Sequence, residues 1–307
     1  MNVPAKLGVY GLGLILAFGG AIGVGRLVGP IGPPAAAGEN GHTATGPSDT
    51  EALPEGLQVS EGGYTLDLLT APDKAGAEAR LSFRITGPDG DPVTDFATEH
   101  DKRMHVILVG RDLAGYQHLH PRMDDDGVWS VPAQVDTPGP YRVFADFIPA
   151  GDGDGHGDRQ GRVLGADIAV PGDYRPAPLP EPAATAEVDG YEVELDGQPA
   201  AGRSSELTFT VTKDGEPVTD LQTYLGAYGH LVALRDGDLA YTHIHPNGRP
   251  GDGQTAPGPR IGFAAQVPSP GHYRLYLNFR HDGKIHTAEF TAVAGDVGDA
   301  GGSEPGH

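Results

Sequence analysis

A chain of 307 residues is long enough for two domains of about 110–130 residues plus tails. Its 42 acidic residues outnumber 21 basic ones, a net charge of −21, so it cannot neutralise a row of phosphates and nucleic acid is excluded as a partner. The absence of cysteine removes disulfides, iron–sulfur clusters, cysteine nucleophiles and thiolate copper centres, and leaves imidazole and carboxylate as ligands for any metal, with Met104 and Met123 as thioethers.

Residues 1–29 carry Lys6 and then no charge until Arg26, so Leu7 to Gly25 is a run of nineteen uncharged, mostly apolar residues. That run suffices for one membrane-spanning helix, and its glycines are common in membrane helices. The small-residue stretch "PPAAAGEN" offers a second outcome, cleavage near residue 37 and secretion. Under both, the remainder lies outside the cytoplasm. Residues 30–57, which include His42, are rich in Pro, Gly, Ser and Thr and read as a flexible linker; residues 295–307 read as a tail of the same kind.

Between the tails the sequence repeats. "GGYTLDL" (62–68) matches "DGYEVEL" (189–195), "LSFRITGPDGDPVTDF" (81–96) matches "LTFTVTKDGEPVTDL" (207–221), and "PGPYRVFADF" (138–147) matches "PGHYRLYLNF" (270–279). The expected copies span 58–172 and 184–294, joined by the proline-rich spacer 173–183, "DYRPAPLPEPA". Short alternating stretches such as "LSFRIT", "HVILV" and "ELTFTVT" lie between Gly- and Asp-rich turns, and no amphipathic helix stands out. The expected fold class is all-β: two tandem immunoglobulin-like β-sandwich domains after one N-terminal transmembrane helix.

The histidines keep step within the repeat. His105 precedes His118 by thirteen residues, as His230 precedes His243, and both copies end in His-x-His-Pro, "HLHP" and "HIHP". Asp236-Gly237 is the favoured pair for a two-residue hairpin turn. Counting outward sets His230 opposite His243, with His245 on the same face, and sets His105 opposite His118, with His120 beside it. A loop two residues longer places His230 opposite His245 and keeps the trio; a slip of one residue destroys it. His100 lies in a loop five residues upstream of His105, and its counterpart is Leu225. In the second copy His286 or His272 is a candidate fourth ligand.

Ile107, Val109 and Tyr116 share the face of the first trio, and Val232, Leu234, Leu239 and Tyr241 that of the second, so the histidines are expected at one end of a face directed into the sandwich core. Two readings follow. In one, His100, His105, His118 and His120, and separately His230, His243, His245 and His286, hold a divalent transition metal at the mouth of each sandwich. In the other they are neutral structural histidines, hydrogen-bonded to the backbone or to one another. "GDGDGHGD" (151–158) begins like a calcium loop, but Val163 stands where the twelfth-position Glu belongs. Asp95 and Asp220, each after "PVT", are turn residues or outer partners of a histidine. No nucleophile motif or phosphate-cradling loop appears, so no catalysis is expected.

With "MHVILVGRDLAGYQHLHP" paired to "GHLVALRDGDLAYTHIHP", the chain resembles a family of actinobacterial secreted or membrane-anchored proteins described as heavy-metal-binding. It is more distantly similar to the extracytoplasmic CopC and YtkA/FixH β-sandwiches of copper handling. The resemblance implies metal buffering, delivery or resistance at the cell membrane, with a membrane metal transporter as a partner. The all-imidazole donor set favours Cu(II) first and Zn(II) second. The rival is a structural or protein-interaction module whose histidines are core residues.

Overall fold

The computed structural model describes residues 53–150 and 161–295, so the expected membrane segment, most of the linker with His42, the 151–158 stretch and the tail beyond Gly295 lie outside the described residues. No helix among the described residues is long and apolar enough to cross a membrane. Among the described residues each copy has nine strands. The first has β1 (Ser60–Glu61), β2 (Tyr64–Thr70), β3 (Ala77–Thr86), β4 (His105–Gly110), β5 (Gln117–Leu119), β6 (Arg122–Met123), β7 (Trp129–Val135), β8 (Gly139–Phe147) and β9 (Arg162–Val170). The second has β10 (Thr185–Val188), β11 (Tyr191–Asp196), β12 (Ser205–Lys213), β13 (Glu216–Pro217), β14 (Gly229–Arg235), β15 (Tyr241–Pro246), β16 (Arg260–Ala265), β17 (Gly271–His281) and β18 (Lys284–Ala294).

The alternating stretches form strands because a period of two puts every second side chain on the buried face. In β12 Leu207, Phe209 and Val211 are fully buried while the residues between them are not. In the first copy the sheet β1-β2-β3-β7-β6 faces the sheet β5-β4-β8-β9. Leu81, Phe83 and Trp129 from one sheet and Val106, Leu108 and Val143 from the other fill the core between them. The second copy repeats this, with Leu207, Phe209 and Phe263 packed against Leu231, Leu275 and Phe290. There β15 pairs with β14 along most of its length and with β16 at His245 and Pro246, linking the two sheets. The same crossing in the first copy is divided between β5, which pairs with β4, and β6, which pairs with β7. The His-x-His-Pro motif therefore sits where the chain passes from one sheet to the other.

A third apolar cluster joins the two copies. Ile107, Val109, Leu113, Phe144 and Val163 of the first pack with Val232, Leu234, Leu239, Tyr241 and Tyr276 of the second. Tyr116 stacks on Tyr276 with ring centroids 3.9 Å apart, and the Tyr276 hydroxyl donates to the Leu113 carbonyl at 2.6 Å. The expectation that the histidine-bearing face points into its own sandwich is corrected here. Val106 and Leu108 face the first core, Leu231 and Ala233 the second, and the residues alternating with them face the other copy. A strand buried on both faces carries no hydrophobic alternation to say which face is the sandwich core, and β4 is buried at all six positions. Each large apolar side chain buried there contributes about 1.5–3 kcal/mol. Ten of them hold the two sandwiches as a fused pair rather than beads on a spacer.

Candidate metal centre

The hairpins β4–β5 and β14–β15 carry the paired histidines. The register is Val106↔Leu119 and Ile107↔His118 in the first copy, Leu231↔Ile244 and Val232↔His243 in the second. His118 thus lies opposite Ile107 rather than His105, and His243 opposite Val232 rather than His230. The loop is the one two residues longer than an Asp236-Gly237 turn. Arg235 N donates to Ala240 O at 3.1 Å and Leu239 N to Arg235 O at 3.0 Å, with Leu239 left-handed at φ 62°. The first copy reaches the corresponding register by another route: Gly110 N donates to Ala114 O at 2.8 Å around a shorter loop with Leu113 at φ 65°, and Gly115, left-handed at φ 66°, supplies the extra residue. A left-handed leucine costs about 1–2 kcal/mol. Both leucines are buried between the copies, and that burial, about 1.5–3 kcal/mol each, offsets the cost. A shift of two preserves parity, so one step further along each ladder His105 faces His120 and His230 faces His245.

His105, His118 and His120 each offer a ligand nitrogen within 4.8 Å of the others. Their ring centroids are 4.8 Å (His118–His120), 5.1 Å (His105–His120) and 5.3 Å (His105–His118) apart. Nitrogens bound to one tetrahedral Zn(II) at about 2.0–2.1 Å stand about 3.3 Å apart. His105 Nδ1 and His118 Nε2 are already 3.1 Å apart.

Hydrogen bonds fix which nitrogens carry protons. His105 Nε2 faces the Glu99 carbonyl at 3.2 Å, which can only accept, so Nε2 holds the proton and Nδ1 the lone pair. His118 Nδ1 faces Asn278 Oδ1 at 3.2 Å; Tyr116 also donates to that oxygen, and Asn278 Nδ2 donates to Thr287 Oγ1 at 2.8 Å. With the amide oxygen on this side, His118 holds its proton on Nδ1 and its lone pair on Nε2. In that orientation of the amide two lone pairs face each other at 3.1 Å, an arrangement that a shared cation relieves. His120 adds a buried Nε2 with no hydrogen-bond partner.

A proton is a poor candidate for that cation. Burial, reinforced by the neighbouring imidazoles His105, His120 and His230, holds His118 well below the usual histidine range, against a smaller opposing effect of Asn278. His120 is pushed down to about 3 by burial, with His105 and Lys102 adding to it. Neutral imidazole is the metal-binding form. Beside the site, burial pushes the Tyr224 hydroxyl up to about 12, so it remains protonated 6.0 Å (ring to ring) from His120.

The second copy's histidines join the same place instead of forming a separate site. His100 occupies a tight turn with Asp101 at φ 46° and 62°, closed by mutual backbone hydrogen bonds between Glu99 and Lys102. Leu225 and Gly226 make the equivalent turn in the second copy. From there the His100 ring lies 4.9 Å from His230 and 5.6 Å from His245, both across the junction, and 6.2 Å from His105. His118 lies 6.4 Å from His230. Of the expected ligands, His100, His105, His118, His120, His230 and His245 come together, and the side chain of His243 lies outside the described residues. His286 is placed elsewhere: its Nδ1 pairs with Asp189 at 2.8 Å and its ring packs on Tyr191 and Phe279, on the side of β18 away from the junction. It pairs with Phe279, whose ring fills the second core, so the alternation of β17 and β18 turns it away from Asn278. His272 lies on β17 opposite Val293, six residues from Asn278. Asp220 partners His281 at 3.0 Å, and Asp95 contributes its carbonyl to Ala150.

Two functional residues escaped the sequence reading. Asn278 lies opposite His230 and bonds His118 of the other copy; its equivalent Asp146 lies opposite His105 and accepts from Tyr241 of the other copy at 3.2 Å. The signal was there in "FADF" and "YLNF": one buried polar residue at the same place in two apolar strands.

One family model matches twice, over residues 58–154 and 186–296: a domain of unknown function, DUF8832. No curated protein matches the chain. Among solved structures it is similar to Salmonella α-2-macroglobulin reacted with methylamine, at 14% identity and a TM-score of 0.26, covering 80% of this chain and 15% of that one. It is also similar to invasin, a bacterial integrin-binding protein, at 12% identity and a TM-score of 0.21, covering 75% of this chain and 39% of that one. Titin A168169 follows at 10% identity and a TM-score of 0.20, covering 76% of this chain and 97% of that one. The chain thus spans only about 15% of the macroglobulin it matches, and likeness at this level assigns no function. Two matched segments cover most of its length, and the chain belongs to the DUF8832 family.

Proposed function

We propose that the protein binds a divalent transition ion, Cu(II) in preference to Zn(II), through His105, His118 and His120 at the junction of its two sandwiches. The observation that carries the reading is the convergence of three ligand nitrogens, from His105, His118 and His120, within 4.8 Å of one another, with His105 Nδ1 and His118 Nε2 3.1 Å apart. Imidazole-only donors and the Irving–Williams order favour copper. Such outer partners orient ligating histidines in metal sites generally. The role is binding without turnover: metal buffering, delivery or resistance outside the cytoplasm. Leu7–Gly25 serves as the membrane tether, a membrane metal transporter is the partner, and each sandwich is immunoglobulin-like.

The test is titration of the full chain, purified without a histidine tag, with Cu(II) and Zn(II) against a competing chelator. Saturable binding, lost in a folded His118→Gln/His120→Gln variant, supports the reading; no binding refutes it. The rival, a structural role for the same histidines, is favoured by one observation: His118 and Asn278 tie the two copies together. It predicts no binding and a loss of stability in that variant.

A further inference from the structure

We propose that His100, His230 and His245 form a second metal position, contiguous with the His105–His118–His120 triad. The protein then holds a pair of divalent transition ions at one centre between its sandwiches, rather than one ion in each. This inference rests on the metal-binding reading above and adds the second ion.

The outer trio repeats the register and hydrogen bonding of the inner one; among the described residues only the inner triad already has its three ligand nitrogens within 4.8 Å of one another, so the outer trio closes on the ion it binds. Continuing the β14–β15 register by one residue sets His230 opposite His245, as His105 stands opposite His120. His230 Nε2 bonds the Leu225 carbonyl at 3.1 Å, as His105 Nε2 bonds that of Glu99 at 3.2 Å, so in both rings the lone pair is on Nδ1. The His100 ring lies 4.9 Å from that of His230 and 5.6 Å from that of His245, and so stands between them. The third ligand of the outer trio comes from the other copy. Where the second copy has the buried Leu225, the first has His100 in a left-handed turn that histidine adopts at a cost, and its ring reaches across the junction.

The two positions differ in access. His105 is buried, whereas His245 is exposed and, with His100, lines a cleft of about 640 Å³ open to solvent. Glu99 and Asp101 line the same cleft and attract cations; Arg249 opposes them. An ion arriving from solvent meets the outer trio first. Once the inner triad is filled, like charge makes the outer ion the weaker and more exchangeable of the two. That is the arrangement expected of a protein that passes its metal on.

The experiment is a Cu(II) titration of the full, tag-free chain by chelator competition, with EPR of each form. The variants are His118→Gln/His120→Gln for the inner triad and His100→Asn/His245→Gln for the outer trio. Asparagine tolerates the left-handed turn at position 100, and His245 is exposed, so the outer variant is expected to keep the wild-type melting temperature. The expected result is two equivalents in the wild type, the second bound at least tenfold more weakly, with spin–spin coupling between them. The outer variant then binds one equivalent at the affinity of the tight site and gives the spectrum of an isolated ion. If the wild type takes one equivalent, lost only in the inner variant, the second position is refuted while the metal-binding reading stands. One equivalent lost in both variants, two equivalents retained in the outer variant, or two uncoupled ions also refute it. No binding refutes both.

Discussion

His105 Nδ1 and His118 Nε2 face each other at 3.1 Å across a hairpin, and the partner that decides what lies between them is Asn278 of the other sandwich. Its oxygen keeps the His118 proton on Nδ1. An amide turned the other way would offer an N–H, move that proton to Nε2 and turn the His105–His118 contact into an ordinary hydrogen bond. Asn278→Leu is therefore expected to weaken metal binding about 10–100-fold while leaving a folded protein. Asn278→Asp, which retains an acceptor, should preserve binding. Chelator competition on both variants checks this, and equal affinities in the two would contradict it.

Acid should destabilise the metal-free protein. A histidine in the unfolded chain titrates near 6.5, whereas His120 does so at about 3 in the fold and His118 is also held low. Between those values the unfolded chain binds more protons, so stability is lost as the pH falls from about 6.5 toward 3. Each such imidazole contributes at most about 1.4 kcal/mol per pH unit. Melting temperatures of the metal-free protein measured from pH 7 to pH 4 should fall steadily, and His118→Gln/His120→Gln should flatten the slope. A wild-type profile flat over that range would count against burial of neutral imidazoles.

The two sandwiches should unfold together. Leu239 is fully buried in the cluster between them, and Leu239→Ala is expected to cost about 2–5 kcal/mol. Tyr276→Phe removes only the hydroxyl bond to Leu113 and should cost about 1 kcal/mol. Denaturant melts followed by tryptophan fluorescence, which reports Trp129 of the first copy, should register both second-copy substitutions. A fluorescence transition indifferent to Leu239→Ala would mean that the sandwiches are independent.

Much of this was legible in the sequence. The repeat placed the strands, and the odd parity of the hairpin gathered His105, His118 and His120 on one side even though the turn was misjudged by two residues. What the sequence could not convey was the partner of that side. Val232, Leu234 and Tyr241 read as core residues, and they are, but the core they fill lies between the copies. Local pattern records that a face is apolar, not what covers it. For the same reason His230 and His245 were assigned to a second site, when the packing of the copies brings them beside His100. His286 was grouped with them by residue type, and the alternation of β18 turns it toward Asp189.

The most direct test of the metal centre is anomalous diffraction from crystals of the full chain saturated with Cu(II) or Zn(II). The account predicts a peak about 2.0–2.1 Å from His105 Nδ1 and His118 Nε2, with His120 completing the triad. A saturated crystal with no peak between those two nitrogens, or with the metal held only at sites elsewhere on the chain, would contradict it.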